Sequence, residues 1–89
     1  MTIIVTQQDI DRAREDPSHL PVCETCPIAR AILRKVPAGT RVEVKHKCIM
    51  VGDEAYYTPV SAQDFMDAFD NGGTVTPFMF YLVNPILVM

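Results

Sequence analysis

The sequence predicts a single α+β domain over residues 1–89: a small, mostly antiparallel sheet of about four to five strands with two to three short helices on one face, in the order β-α-α-β-β-β-α-β. Three observations predict it. Val75–Val83 reads Val-Thr-Pro-Phe-Met-Phe-Tyr-Leu-Val, nearly all β-branched, aromatic or aliphatic, which is strand composition. Thr40–Cys48 alternates charged and apolar residues, the period of a strand with one wet face. Ile28–Val36 and Ala62–Phe69 repeat apolar residues at helical spacing, the stripe of a helix laid on a core.

In chain order, Thr2–Val5 is a short apolar strand. Thr6 with Asp9 three residues on forms a capping box in which Asp replaces the usual Glu. The helix it starts is mostly polar, with only Ile10 and Ala13 apolar, so it lies on the surface and ends before Pro17. Two prolines and Ser18 set a loop over Asp16–Pro21. Thr25 or Cys26 then caps a core helix of about ten residues whose first turn takes Pro27, with Ile28, Ala29, Ile32, Leu33 and Val36 inside and Arg30, Arg34 and Lys35 outside. Pro37 and Gly39 stop it.

From Thr40 the chain runs as a strand with Arg41, Glu43, Lys45 and Lys47 on one face and Val42, Val44, His46 and Cys48 on the buried one. Ile49–Val51 continues it, Gly52-Asp53-Glu54 turns it, and Ala55–Thr58 returns as a hairpin partner. Ser61, with Asp64 three residues on, caps a second amphipathic helix with Ala62, Phe65, Met66 and Phe69 inside and Asp64, Asp67 and Asp70 outside. Asn71-Gly72-Gly73 ends it. In the last strand Phe78, Phe80 and Leu82 share one face and Met79, Tyr81 and Val83 the other, so it must be covered on both. That makes it a central strand or a subunit interface, and with the apolar tail Ile86–Met89 it predicts a homodimer or larger oligomer.

At 89 residues with 48% hydrophobic content the chain folds as one modest core rather than as a disordered tail. Its net charge of −3 is unevenly spread: all eight Lys and Arg lie in residues 1–48, with six acids, and residues 49–89 carry five acids and no base. That density of basic residues disfavours duplex nucleic acid as a partner. A local patch of Arg30, Arg34, Lys35, Arg41, Lys45 and Lys47 remains, set against the simpler reading of a solvated face. Ile3–Val5 is too short for a signal-peptide core and no apolar run reaches the length of a membrane span, which predicts a cytoplasmic protein.

Three cysteines argue against a secreted disulfide framework. Cys23-x2-Cys26 has the spacing of half a structural zinc site. A ten-residue helix and the strand running back from it would bring roughly Lys45 or His46 level with Cys26, with His46 and Cys48 on the inward face and His19 a weaker candidate. A second Cys-x2-Cys is missing, so the favoured reading has no metal or other cofactor: Cys26 is a helix-start residue and Cys48 a small buried hydrophobe. A redox role for Cys26 lacks the surrounding βαβ unit. The sequence holds no phosphate loop, no nucleophile elbow and no His-Glu-x-x-His pair, and the chain is expected not to be an enzyme.

Cys26-Pro27-Ile28-Ala29 leading into an apolar helix, Phe69-Asp70-x-Gly72, and Val75-x-Pro77-Phe78-x-Phe80-x-Leu82 together resemble a group of small proteins from tailed phages. The likeness covers about half the chain, and its motifs are caps and core residues that carry no catalytic role across. It implies a non-enzymatic accessory protein that counters a host function or defence system by binding a host protein in the host cytoplasm. The alternatives are an oligomeric sponge that sequesters a small nucleotide signal, with Arg and Lys for phosphate and Tyr for the base, and a small zinc-stabilised interaction module. Candidate partner-binding residues are Arg30, Arg34, Lys45, Lys47 and Tyr81.

Overall fold

The computed structural model describes residues 1–15 and 22–83, the side chains of Val22 and Cys23 excepted. The loop over Asp16–Pro21, the candidate ligand His19, the Asn84-Pro85 break and the tail Ile86–Met89 lie outside the described residues.

The chain is α+β, with β1 (Thr2–Val5), α1 (Gln7–Glu15), α2 (Val22–Thr25), α3 (Pro27–Leu33), β2 (Val42–Val44), β3 (Cys48–Val51), β4 (Glu54–Tyr57), α4 (Val60–Asp70) and β5 (Phe78–Tyr81). All strand pairing is antiparallel, but the strands form two sheets rather than one: β1 with β5, and β2-β3-β4 in sequence order. The three-stranded sheet is a local meander. The two-stranded sheet joins the first strand of the chain to the last, with Ile3 opposite Phe80 and Val5 opposite Phe78.

Capping chemistry sets the helix starts. At α1 the Thr6 N–H donates to the Asp9 carboxylate at 2.9 Å and the Asp9 N–H donates to the Thr6 hydroxyl at 3.2 Å, the reciprocal box its sequence predicts. Cys26 is extended (φ −65°, ψ 164°) and its Sγ accepts from the Ala29 N–H at 3.4 Å. Pro27 follows at the first helical position, where its missing N–H costs nothing and where it forces the preceding residue out of the helical region, separating α2 from α3.

Three boundaries differ from expectation. The core helix ends at Leu33, not near Val36: Pro37 pushes Val36 out of the helical region, and the Lys35 N–H closes a tighter turn on the Ile32 carbonyl at 2.8 Å. The second amphipathic helix starts at Val60 with Pro59 at its N-cap and no side-chain cap bond, so Ser61 lies inside its first turn. There the Pro59 carbonyl accepts from the Ala62 and Gln63 N–H groups at 3.0 Å each, and the Gln63 side chain donates to the Thr58 carbonyl at 2.9 Å.

The expected strand through Thr40–Cys48 is likewise broken. The chain reverses at His46–Lys47, where the Lys45 N–H donates to the Cys48 carbonyl at 2.9 Å. Buried Thr58 holds this turn: its hydroxyl donates to the Lys45 carbonyl at 2.9 Å and its N–H to the Lys47 carbonyl at 3.1 Å. His46 is therefore exposed on a turn rather than inward on a strand.

The end of α4 is a Schellman closure, with the Gly73 N–H donating to the Ala68 carbonyl at 2.8 Å and the Gly72 N–H to the Phe69 carbonyl at 3.1 Å. Gly72 takes φ +75°, and a Cβ at Gly73 would lie 3.0 Å from the Ala68 carbonyl oxygen. Arg14 ties α1 to this corner: its guanidinium donates to the Gly73 carbonyl at 2.6 Å and sits 4.6 Å from the centroid of the Phe69 ring.

The core lies between the two sheets and the helices. Ile3, Val5, Ile28, Ile32, Ile49 and Leu82 are fully buried in it, each contributing about 1.5–3 kcal/mol of transfer free energy. Phe65, Phe78 and Phe80 stack in series, with centroids 4.6 and 5.5 Å apart, and carry α4 onto β5.

Candidate binding surfaces

The pattern of β1 and β5 leaves one sheet face uncovered. Ile3, Val5, Phe80 and Leu82 point into the core, so Ile4, Met79, Tyr81 and Val83 point out, 49–64% exposed, with Met1 beside them. Ile4 stands opposite Met79 and Thr2 opposite Tyr81. Met1 and Leu82 exchange two hydrogen bonds, the Met1 amine donating to the Leu82 carbonyl at 2.7 Å and the Leu82 N–H to the Met1 carbonyl at 2.8 Å. By alternation the backbone groups of Ile4, Met79 and Tyr81 therefore point away from the partner strand. On the β1 side Arg34 takes the Ile4 carbonyl at 2.9 Å. On the β5 side no described strand pairs with the edge. Within the described chain β5 is therefore one strand of a pair, not central, because its sheet holds only two strands.

The basic candidates are spread over several sites. Arg34 forms an ion pair with the buried Asp9 carboxylate, and Arg30 donates to the Thr25 carbonyl at 3.1 Å. Burial alone would raise the Asp9 pKa, but hydrogen bonds from Arg34 and from Thr6, with the nearby positive charge, hold it below the ordinary carboxylate value. Arg41 bridges Glu43 at 2.8 Å and Glu24 at 3.5 Å, and Lys45 lies 3.8 Å from Glu43. Lys47 is exposed on the β2–β3 turn. Tyr81 belongs to the apolar sheet face. The five candidates therefore do not form one patch, and Arg34 is committed to holding α3 on α1 and β1. On β4 the Tyr56 hydroxyl donates to Glu54 at 2.6 Å, and this bond, with burial, raises the tyrosine pKa.

The zinc candidates are only partly brought together. Cys26 and His46 line one cleft between α3, β2 and α4, while the half-buried Cys48 begins β3 and is not among that cleft's lining residues. Cys26 is buried and Cys48 half-buried, and the His46 ring is 3.4 Å from the Asp67 carboxylate. Among the described residues no three His, Cys, Asp or Glu side chains converge on a metal position; the Cys23 side chain lies outside the described residues.

Sequence reasoning missed Ile4 as a surface residue, although Ile3-Ile4-Val5 carries the same two-faced apolar signal as β5. It also missed the cleft at Cys26, which three elements far apart in sequence build together. Among the described residues no helix is long and apolar enough to cross a membrane. Comparison with protein-family models, with curated proteins and with solved structures finds no match.

Proposed function

We propose that the chain is a non-enzymatic accessory binding protein of the tailed-phage kind, acting in the host cytoplasm and countering a host function or defence system by docking on a host protein. The apolar face of Ile4, Met79, Tyr81 and Val83 supports this reading. Exposed apolar side chains are common singly, but four on one face of a two-stranded sheet form a contiguous patch of the kind that marks interaction sites. Residues 71–89 hold no charged side chain, so the patch lacks the charges that strand edges use to refuse partners. Tyr and Met are anchor residues at such interfaces. Two copies pair through the open edge of β5, which leaves the apolar face clear and doubles it.

The test uses tagged protein in lysate of a host bacterium. Wild type retains one host protein that Tyr81→Asp and Met79→Asp do not, and the purified partner binds Tyr81→Asp at least about a hundredfold more weakly, the loss of one anchor residue. Equal retention by all three overturns the reading. A rise in melting temperature with one of a panel of small nucleotides, by linkage, would point to the sponge instead. Light scattering checks the pairing: a mass near 20 kDa, twice the 10.0 kDa chain, is expected, and 10 kDa at micromolar concentration removes it.

A further inference from the structure

We propose that the cleft between the start of α3, the end of β2 and the inner side of α4 binds a planar bicyclic aromatic compound of indole size that carries no negative charge. Its volume is about 240 Å³. A cavity of about 150 Å³ lined by aliphatic and aromatic side chains accepts benzene, so this one has room for a second fused ring. The floor is apolar and buried, built from Ile28, Val44, Phe65 and Met66. Phe65 and Phe69 present near-parallel rings, 7° apart in plane with centroids 6.3 Å apart, against which a flat aromatic packs in offset fashion. The Met66 thioether adapts to the shape of what enters.

The mouth selects against negative charge. Lys45 and Asp70 bring one charge of each sign, Lys45 already faces Glu43 at 3.8 Å, and His46 already faces Asp67 at 3.4 Å. An anionic ligand would have to strip its own hydration over an apolar floor, at a mouth whose one lysine is already answered by Glu43. Asp70 makes no hydrogen bond or ion pair among the described residues, and its carboxylate at the rim is an acceptor for a ring N–H such as that of indole.

Indole is the probe, with indole-3-acetate and tryptamine as its anionic and cationic counterparts, followed by amide chemical shifts of the full chain. Indole is expected to saturate with a dissociation constant on the order of 0.1–1 mM, the range open to so small a ligand. Shifts should centre on Ile28, Val44 and Phe65–Asp70, indole-3-acetate should bind at least about fivefold more weakly than indole, and tryptamine, whose ammonium Asp70 can meet, no more weakly than indole. Val44→Phe should fill the cleft and abolish binding while the rest of the spectrum is kept. Phe69→Trp serves the same purpose should Val44→Phe fail to fold. Failure to saturate by about 5 mM, shifts centred elsewhere, a folded filling variant that still binds, or indole-3-acetate binding as tightly as indole each overturns the proposal.

Discussion

The Asp9 carboxylate and the Arg34 guanidinium form an ion pair between α1 and the end of α3, and the same guanidinium reaches the Ile4 carbonyl of β1 at 2.9 Å. One side chain thus joins three elements. The carboxylate side is buried (6% exposed) and the guanidinium side half open (49%), so removing Arg34 strands a buried charge.

Arg34→Met is expected to destabilise by about 1–3 kcal/mol, less than for a fully buried pair because water reaches the guanidinium. The Asp9 pKa is depressed in the folded state. Its contribution to stability is therefore fully present above the unfolded carboxylate value, about 3.9, and is lost as pH falls from there through the lower folded value. Urea midpoints between about pH 2 and 6 should fall on the acid side in wild type and fall less in Arg34→Met. An identical acid dependence would show that Asp9 does not depend on Arg34.

Phe65 is buried and Phe69 only partly so. Phe65→Ala should cost about 3–5 kcal/mol and Phe69→Ala about 1–3, part of the latter from the Arg14 contact. Asp67→Ala, on the exposed side, should change stability by less than about 0.5 kcal/mol. Equal losses from all three in urea unfolding would mean that the α4 face is wrongly assigned.

At the end of α4, Gly72→Ala puts a side chain where φ is +75°, and Gly73→Ala puts a Cβ 3.0 Å from the Ala68 carbonyl oxygen. Each should lower stability by about 1 kcal/mol or more, since Ala fits neither backbone. A calorimetric melting temperature unchanged in both would refute the Schellman geometry.

For the cysteines, the melting temperature is expected to hold in excess chelator. Structural zinc would supply on the order of 10 kcal/mol, so a held zinc ion could not be removed unnoticed. Near-stoichiometric zinc by elemental analysis, lost in Cys23→Ser, would reverse this expectation.

Much of the local structure was legible because it depends on neighbours in the chain. The Thr6–Asp9 box, the Cys26 cap with Pro27 behind it, the Ala62–Phe65–Met66 stripe and the Asn71–Gly73 stop each involve residues within about one or two helical turns. The broken strand arose where a distant residue decided. Unbroken alternation through His46 and Cys48 looked like one strand, but Thr58, more than ten positions later, takes the Lys45 and Lys47 carbonyls and turns the chain there. Because a strand's side chains alternate, one turn at His46 puts His46 outside and makes Ile49, rather than Cys48, the fully buried residue of β3.

By itself, then, the sequence determined the α+β class, the element order apart from the short α2, and the apolar side of each long helix apart from Leu33, which is exposed where α3 ends, since these follow from short-range periodicity and capping. Only the tertiary structure decided that β1 pairs with β5 apart from the β2–β4 meander, that Arg34 is tied to Asp9 rather than open to a partner, and that Cys26 and His46 share a cleft floored by α4. A strand's apolar pattern states that its faces need cover and does not name the covering element; that choice is made by packing among residues dozens of positions apart.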